Sequence, residues 1–322
     1  MATVVREELH SEVLEFLDQK EVERPNPLPR SVLLLSIATG VLATVSSIVG
    51  LLWRGSGPVI SVTNIFGERV ELYGRGLYEN DTLFFAGNNF ASDLVALVVV
   101  VPLLAVTLRL SMRGSERGRL LLLGLFGYLV YHSSTYALGG VAFNELFIPY
   151  VAFFSTSVFG LVLLLGDLMR TPVRFGDSAP RRMLGIFMIV SGAVTALIWL
   201  MEPVGSLLSG EPPKSLETHT TLFTHALDLG IIVPSAIAIG GLILKRRTFG
   251  YNAAFSLLIF EALLLPLITI GTITQLELGI EFSPPEIVGP IAGFSILSGF
   301  SLVVIVRLLN SVTPNHARGT AR

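Results

Sequence analysis

Eight apolar runs, each about 20 residues long, alternate with short polar connections along this chain of 322 residues. A helix needs roughly 20 residues to cross a hydrocarbon core about 30 Å thick, so each run is long enough to span a bilayer. Only 14% of the residues are charged, against about 25% in an ordinary soluble domain. The sequence therefore predicts an all-α polytopic membrane protein with eight transmembrane helices, at residues 31–53, 91–109, 119–139, 146–168, 183–202, 221–244, 250–272 and 287–307.

Basic residues are concentrated in alternate connections, and this asymmetry predicts the orientation. Loops rich in Arg and Lys stay in the cytoplasm, and an even number of spans then places both termini there as well. We therefore expect a multi-pass protein of the cell (plasma) membrane with an N-in, C-in topology. The basic connections hold Arg109, Arg113, Arg117 and Arg119, then Arg170, Arg174, Arg181 and Arg182, then Lys245, Arg246 and Arg247.

The chain divides into a cytoplasmic N-terminal segment (1–30), a transmembrane domain (31–310) and a cytoplasmic tail (311–322). Residues 4–23 place apolar side chains on one face of a helix and acidic ones on the others. Because a membrane-surface helix is normally basic, we expect this acidic one either to dock on the basic loops of the same protein or to be solvated and partly frayed. No clear sequence repeat relates residues 1–170 to residues 171–322.

The longest connection, residues 55–90, lies between the first two predicted helices on the outer side. Residues 59–64 alternate in the manner of a strand, Gly67 and Glu68 supply a turn, and residues 70–73 are suited to a returning strand. The sequence therefore predicts a small extracytoplasmic β-hairpin in this β-rich loop.

Several ionisable residues lie inside the predicted spans, where they are costly and usually mark a functional site. Counting about 1.5 Å per helical residue places His132, Asp228 and Glu261 at one level, roughly 9–12 Å below the outer face of a core about 30 Å thick. His225 lies one turn from Asp228, and Asp93 is near the outer end of its helix. We therefore expect an outward-facing polar site within the membrane.

These side chains would suit a divalent metal such as zinc, the candidate cofactor. His132, His225 and Asp228 would be its ligands, since imidazole and carboxylate groups are common zinc ligands. Glu261 or Asp93 would then be the catalytic general base that activates a bound water, as in a metal-dependent hydrolase. The same groups could instead relay protons, bind a polar ligand, or serve packing alone.

Three functions remain open at this point. The first is binding or processing of a lipid or small amphiphile, metal-assisted or not. The second is transport of a small solute or ion, and the third is a non-enzymatic scaffold or accessory subunit. The expected partners are the lipid bilayer, a lipid or small-molecule ligand, and a second copy or partner membrane subunit.

Other classes are disfavoured by composition and motifs. The absence of cysteine excludes disulfides and thiolate sites, and a net charge of −2 gives no support for nucleic-acid binding. No nucleotide-binding or protease motif is present. Glycines within the spans, among them Gly124, Gly127, Gly240 and Gly241, predict close helix–helix contacts.

Overall fold

The computed structural model describes residues 28–313, and within this range the chain forms eight long helices and one two-stranded sheet. Seven of the helices are long and apolar enough to cross a membrane. The eighth, α3, carries a polar stretch at residues 131–136 in its second half. The predicted N-terminal helix at residues 4–23 lies outside the described residues. The helices are α1 (Arg30–Leu52), α2 (Leu83–Met112), α3 (Glu116–Leu138), α4 (Phe147–Arg170), α5 (Arg181–Ser209), α6 (Phe223–Leu244), α7 (Thr248–Glu277) and α8 (Pro284–Asn310).

The predicted β-hairpin is confirmed. Strands β1 (Ile60–Thr63) and β2 (Arg69–Leu72) are antiparallel, with Ile60 opposite Leu72. The side-chain oxygen of Asn64 accepts the backbone N–H groups of Phe66 and Glu68 at 3.0 and 2.9 Å, which closes the turn. We call this end of the molecule the hairpin side, and the end with connections 113–115, 171–180 and 245–247 the basic side.

The predicted loop 55–90 is too long, because α2 begins at Leu83 and its first eight residues fall within that range. Thr82 caps the helix by accepting the N–H of Phe85 at 3.3 Å. The polar pair Asn88 and Asn89 made this stretch resemble a loop. In the structure these amides lie near the bundle interior, and Asn89 donates to the carbonyl of Gly140 at 3.3 Å.

The helices form two sequential halves, α1–α4 and α5–α8. In each half every helix packs against the next one along the chain, and α3 and α7 pack against each other where the halves meet. Helix α3 also contacts α2 and α4, and α7 also contacts α2, α6 and α8. The least apolar of the eight helices therefore lies at the centre, where neighbouring helices cover its polar side chains.

The halves contain a structural repeat with an offset of 132 residues, as between Pro102 and Pro234. Each proline follows a π-helical stretch, at Ala96–Val100 in α2 and Asp228–Ile232 in α6. The turns that follow also match, since Ser115 N–H donates to Leu110 O at 3.1 Å and Arg247 N–H donates to Leu242 O at 2.9 Å. The sequence does not reveal this repeat, because few of the matched residues are identical.

Two glycines allow the close approach of α3 and α7. A Cβ on Gly127 would lie 2.2 Å from the carbonyl oxygen of Ser256, and a Cβ on Gly124 would lie 2.2 Å from Cγ1 of Ile259. The repeat matches Gly124 to Ser256 and Gly127 to Ile259, so it exchanges these two contacts. This exchange is the pattern of a pseudo-twofold axis through the crossing. The predicted close contacts at Gly124 and Gly127 are confirmed, whereas the one predicted at Gly241 is wrong, because no heavy atom lies within 4 Å of a Cβ built there.

We expect Gly127→Ala to destabilise the protein and Gly166→Ala to leave it unchanged or stabilise it. Alanine favours a helix over glycine by up to about 1 kcal/mol at either position. At Gly127 the new methyl group would collide with α7, and overpacking of this kind typically costs about 1–3 kcal/mol. No heavy atom lies within 4 Å of the equivalent point at Gly166. Thermal melting in detergent measures the stability of both variants. Equal melting temperatures would contradict the close contact of α3 and α7 at Gly127.

Candidate functional site

The structure divides the predicted polar layer into three separate groups. Asp93, Asp228 and Glu261 each accept hydrogen bonds from hydroxyl groups, but no two of them share a donor. Within residues 28–313, no three His, Asp or Glu side chains are placed so that they could hold a metal ion together. The metal and general-base roles of these residues therefore stay predictions, without a shared centre to support them.

The first group surrounds Asp93, which is completely buried in the first half. Its two carboxylate oxygens accept the hydroxyl groups of Tyr78 at 2.6 Å and Tyr136 at 2.8 Å. Gly50 of α1 lies directly against this carboxylate, since a Cβ there would be 1.9 Å from Oδ2. These contacts join α1, α2, α3 and the turn before α2, so Asp93 is well placed to hold this end of the bundle together.

His132 lies beside this group but makes ring contacts instead of polar ones. Its imidazole is 4.6 Å from the ring of Tyr136, 5.7 Å from Phe153 and 5.8 Å from Tyr128, measured between centroids. Its Nε2 atom is buried without a hydrogen-bond partner. The structure therefore places His132 among aromatic rings of α3 and α4, apart from His225 and Asp228.

The second group contains His225 and Asp228, which share one face of α6 as the spacing predicted. His225 Nε2 lies 3.4 Å from Glu202 Oε2, and its ring is 4.6 Å from that of Trp199. The hydroxyl of Tyr131 donates to Asp228 at 3.4 Å. This group connects α3, α5 and α6 near the hairpin side.

Glu261 forms the third group, at the place where α5, α7 and α8 meet. One carboxylate oxygen accepts the hydroxyl of Ser191 from α5 at 3.3 Å, and the other accepts that of Ser301 from α8 at 2.8 Å. Ser298 donates to the backbone carbonyl of Glu261 at 2.7 Å. Glu261 is thus a buried carboxyl group held only by hydroxyls, and the described residues place no Lys or Arg against it.

Between Glu261 and the hairpin side, the helices of the second half bury few of their residues. In the first half, α1 and α4 pack together and carry buried residues along their whole lengths. In the second half, α5 has no buried residue after Gly192 and α8 has none before Ser298. Residues 264–270 of α7 are half-buried throughout. The hairpin-side halves of α5, α7 and α8 are therefore only partly covered, and we call this uncovered region, which begins at Glu261, the lateral groove.

Comparison with known proteins identifies no relative: no protein-family model, no curated protein and no solved structure matches this chain. Its chemistry has to be inferred from its own residues and their geometry.

Several residues of these groups were not predicted from the sequence. Tyr78, Tyr136 and Ser301 provide most of the hydroxyl groups that bind the carboxylates. Ser298 and Ser301 are three positions apart and so share a helix face, and this spacing could have been recognised in the sequence. In the structure they are the first buried residues of α8. Tyr78 lies in a connection, and nothing in its neighbourhood indicates that it reaches Asp93.

A further set of contacts joins the two halves at the hairpin side. The hydroxyl of Thr82 contacts the carboxylate of Glu217, and Asn64 donates to the backbone carbonyl of Glu217 at 2.8 Å. His219 lies against the ring of Phe85 at 4.2 Å. Burial raises the pKa of Glu217 and lowers the pKa of His219, so it disfavours the charged form of each group.

Asp81 occupies a buried position at the base of the hairpin. One carboxylate oxygen accepts the N–H of Ala142 at 2.8 Å, and the other has no partner. Burial raises the pKa of Asp81 to about 7. The side chain is therefore easier to accommodate in its protonated form.

We expect Asp81→Asn to stabilise the protein at pH 8 and to have a smaller effect at pH 5. The folded protein holds the Asp81 proton up to about pH 7, whereas an unfolded Asp loses it near pH 4. Stability from this residue is thus present at low pH and falls as the pH rises through that window. Asn keeps the acceptor for Ala142 without the charge, and the gain at pH 8 should be on the order of 2 kcal/mol. Melting curves between pH 5 and pH 8 measure this, and a gain that is equal at both pH values would contradict it.

Proposed function

We propose that this protein spans the membrane eight times, with both ends in the cytoplasm, and binds a lipid or other small amphiphile in the lateral groove of its second half. Seven helices support the spans by length and composition. Helix α3 is surrounded by helices on several sides, so its polar residues need not meet lipid. The Arg and Lys residues of the basic side favour a cytoplasmic position for that side.

Cysteine labelling tests this topology directly, because the natural chain contains no cysteine. We expect Ile65→Cys, at the exposed hairpin turn, to react with a membrane-impermeant maleimide added to intact cells. Ser178→Cys, in the connection between α4 and α5, should react only after permeabilisation. Labelling of both, or of Ser178→Cys alone, in intact cells would contradict the orientation.

The direction in which the groove opens supports a ligand that is dissolved in the membrane. The groove lies between α5 and α8, two helices whose other faces are rich in exposed apolar residues such as Leu197 and Ile296. In a bilayer these faces meet lipid, so a molecule in the hydrocarbon layer would enter sideways without crossing water. This lateral opening toward Glu261 is the single observation on which the proposal depends.

The polar end of the groove indicates which part of the ligand would bind there. Glu261 and its partners Ser191 and Ser301 offer hydrogen-bonding atoms at a level where the bilayer offers none. A hydroxyl or amine group of the ligand could donate to the carboxylate, while its apolar chain lies along α7 and α8. The proposal includes no metal and no reaction step.

We expect a photoactivatable long-chain amino alcohol to label the hairpin-side halves of α5, α7 and α8. Glu261→Gln should weaken its binding about tenfold, the effect of losing a charge-assisted hydrogen bond of about 1.4 kcal/mol or more. Thr195 lies one turn from Ser191 on the same face of α5, so Thr195→Phe should fill the groove and reduce labelling further. Mass spectrometry of the labelled peptides measures both effects.

Two matched variants serve as controls for this experiment. Ser155→Phe places the same ring on a lipid-exposed position of α4, and Glu71→Gln neutralises an exposed carboxylate of the hairpin, outside the groove. Neither should change the labelling. Labelling spread evenly over the lipid-facing helices, and unaffected by Thr195→Phe, would overturn the proposal.

Transport of a small solute is a second candidate, favoured by the internal repeat. Many transporters are built from two repeats with interrupted helices near the middle of the bilayer, and α2 and α6 carry matched π-helical stretches before Pro102 and Pro234. Uptake into proteoliposomes that is abolished by Asp228→Asn would favour transport over binding alone.

A further inference from the structure

The turn that leads into α2 carries an acceptor motif for N-linked glycans. Asn80, Asp81 and Thr82 form an Asn-x-Thr triplet, and no other Asn in the sequence has Ser or Thr two positions after it. Glycans are transferred to the side-chain amide of such triplets in surface segments outside the cytoplasm. Because a short motif also arises by chance, the surroundings of the triplet decide whether it can carry a glycan.

The side chain of Asn80 is open to solvent in the folded protein. Asn80 is exposed, whereas Tyr78 and Asp81 beside it are buried. The Asp81 N–H donates to the carbonyl oxygen of Tyr78 at 3.0 Å, which holds Asn80 in a turn. Among residues 28–313, no group forms a hydrogen bond with the amide of Asn80. A glycan on this amide would therefore break no contact of the fold.

The other amides near the hairpin side are not available in this way. Asn64 donates to the backbone carbonyl of Glu217 at 2.8 Å, and Asn89 donates to that of Gly140 at 3.3 Å. The side-chain oxygen of Asn144 accepts the N–H of Leu146 at 2.9 Å. The acceptor motif thus coincides with an exposed and unpaired amide.

Asn80 also stands away from the apolar core of the bilayer. Helix α2 has 30 residues, about ten more than a span requires. Arg109 belongs to the basic side, so the extra length of α2 lies toward the hairpin side, between Asn80 and the membrane. This step rests on the orientation in the proposed function, with the hairpin side outside, but it does not depend on the lateral groove.

The third residue of the triplet indicates when transfer can take place. Thr82 is only 1% exposed. Its hydroxyl oxygen accepts the N–H of Phe85 at 3.3 Å, and the hydroxyl contacts the carboxylate of Glu217 in the second half. The motif requires this hydroxyl, so an enzyme has to reach it before the segment around Glu217 packs against the start of α2.

We propose that Asn80 is N-glycosylated during membrane insertion, before the second half of the protein folds. The donor is a glycan carried on a polyprenyl diphosphate. The amide nitrogen of Asn80 bonds to the first sugar carbon, the bond from that carbon to the diphosphate oxygen breaks, and the polyprenyl diphosphate leaves. The amide loses one proton to the surrounding water.

The attached glycan would lie over an apolar part of the outer surface. Asn80 lines the same open depression as Phe143 and Ile148, which are 77% and 72% exposed. A bulky hydrophilic glycan shields apolar surface of this kind from contact with other proteins.

Mass spectrometry of the full-length protein, purified from the membranes of the cells that naturally make it, tests the site. We expect a glycan on the peptide that contains Asn80. Asn80→Gln and Thr82→Ala should each abolish the modification, because the first removes the amide acceptor and the second removes the hydroxyl. Thr82→Ser keeps a hydroxyl and should retain the glycan.

Two added triplets serve as matched controls for the orientation. Phe66→Thr completes a triplet that begins at Asn64 in the hairpin turn, and Ala317→Thr completes one that begins at Asn315 in the predicted cytoplasmic tail. We expect modification of Asn64 in the first variant and none of Asn315 in the second.

The controls distinguish failure of this site from failure of the topology. An unmodified Asn80 together with a modified Asn64 would overturn the site and leave the orientation standing. Modification of Asn315 would overturn both. Absence of a glycan from all three positions would overturn the site, and the cysteine labelling described above then tests the orientation separately.

The order of the two events has its own test. Chains are synthesised with an isotope label while the supply of polyprenyl-linked glycan is blocked, and the supply is then restored. We expect the labelled, already folded chains to stay unmodified and the chains made afterwards to carry the glycan. A glycan on the labelled chains would overturn the proposed order, because the hydroxyl of Thr82 would then be accessible after folding.

Discussion

The crossing of α3 and α7 is the contact on which the rest of the architecture depends. Within a bilayer, burial of apolar surface gives little drive for helix association, so close packing of small residues matters more. Gly124 and Gly127 have no side chain, and a Cβ at either position would collide with α7. The crossing places α3 inside the bundle, where its His and Tyr residues contact other helices, and it relates the two halves by a pseudo-twofold axis.

The two halves share a helix arrangement but differ in their polar groups and in how fully their helices pack. The repeat matches Asp93 with His225, two different ionisable groups, but it matches Glu261 with the apolar Leu129, so the two halves differ in their buried ionisable groups. In the first half, α1 and α4 close around Asp93 and its tyrosines. In the second half, α5 and α8 meet near Glu261 and leave the region beyond it open. The proposed lipid site follows from this difference between the halves.

The location of the polar groups could be predicted from the sequence, but their grouping could not. Helical spacing gives the depth of a residue and, for His225 and Asp228, the face that they share. It does not give the rotation of one helix relative to another, on which the neighbours of a side chain depend. Glu261 and Asp228 therefore share a predicted level in the membrane. In the structure, however, Ser191 and Ser301 donate hydrogen bonds to Glu261, whereas Tyr131 donates to Asp228.

The sequence by itself determined that the chain consists of apolar helices with a β-hairpin between the first two, because hydrophobic length and strand alternation are local properties. It also indicated where ionisable residues enter the apolar runs, and the glycines through which helices pack closely. Only the tertiary structure decided the internal repeat, the central position of α3 and the separation of the polar layer into three groups. These features depend on contacts between residues far apart in the chain, such as Gly127 with Ser256 and Tyr131 with Asp228, and no local pattern in the chain records them.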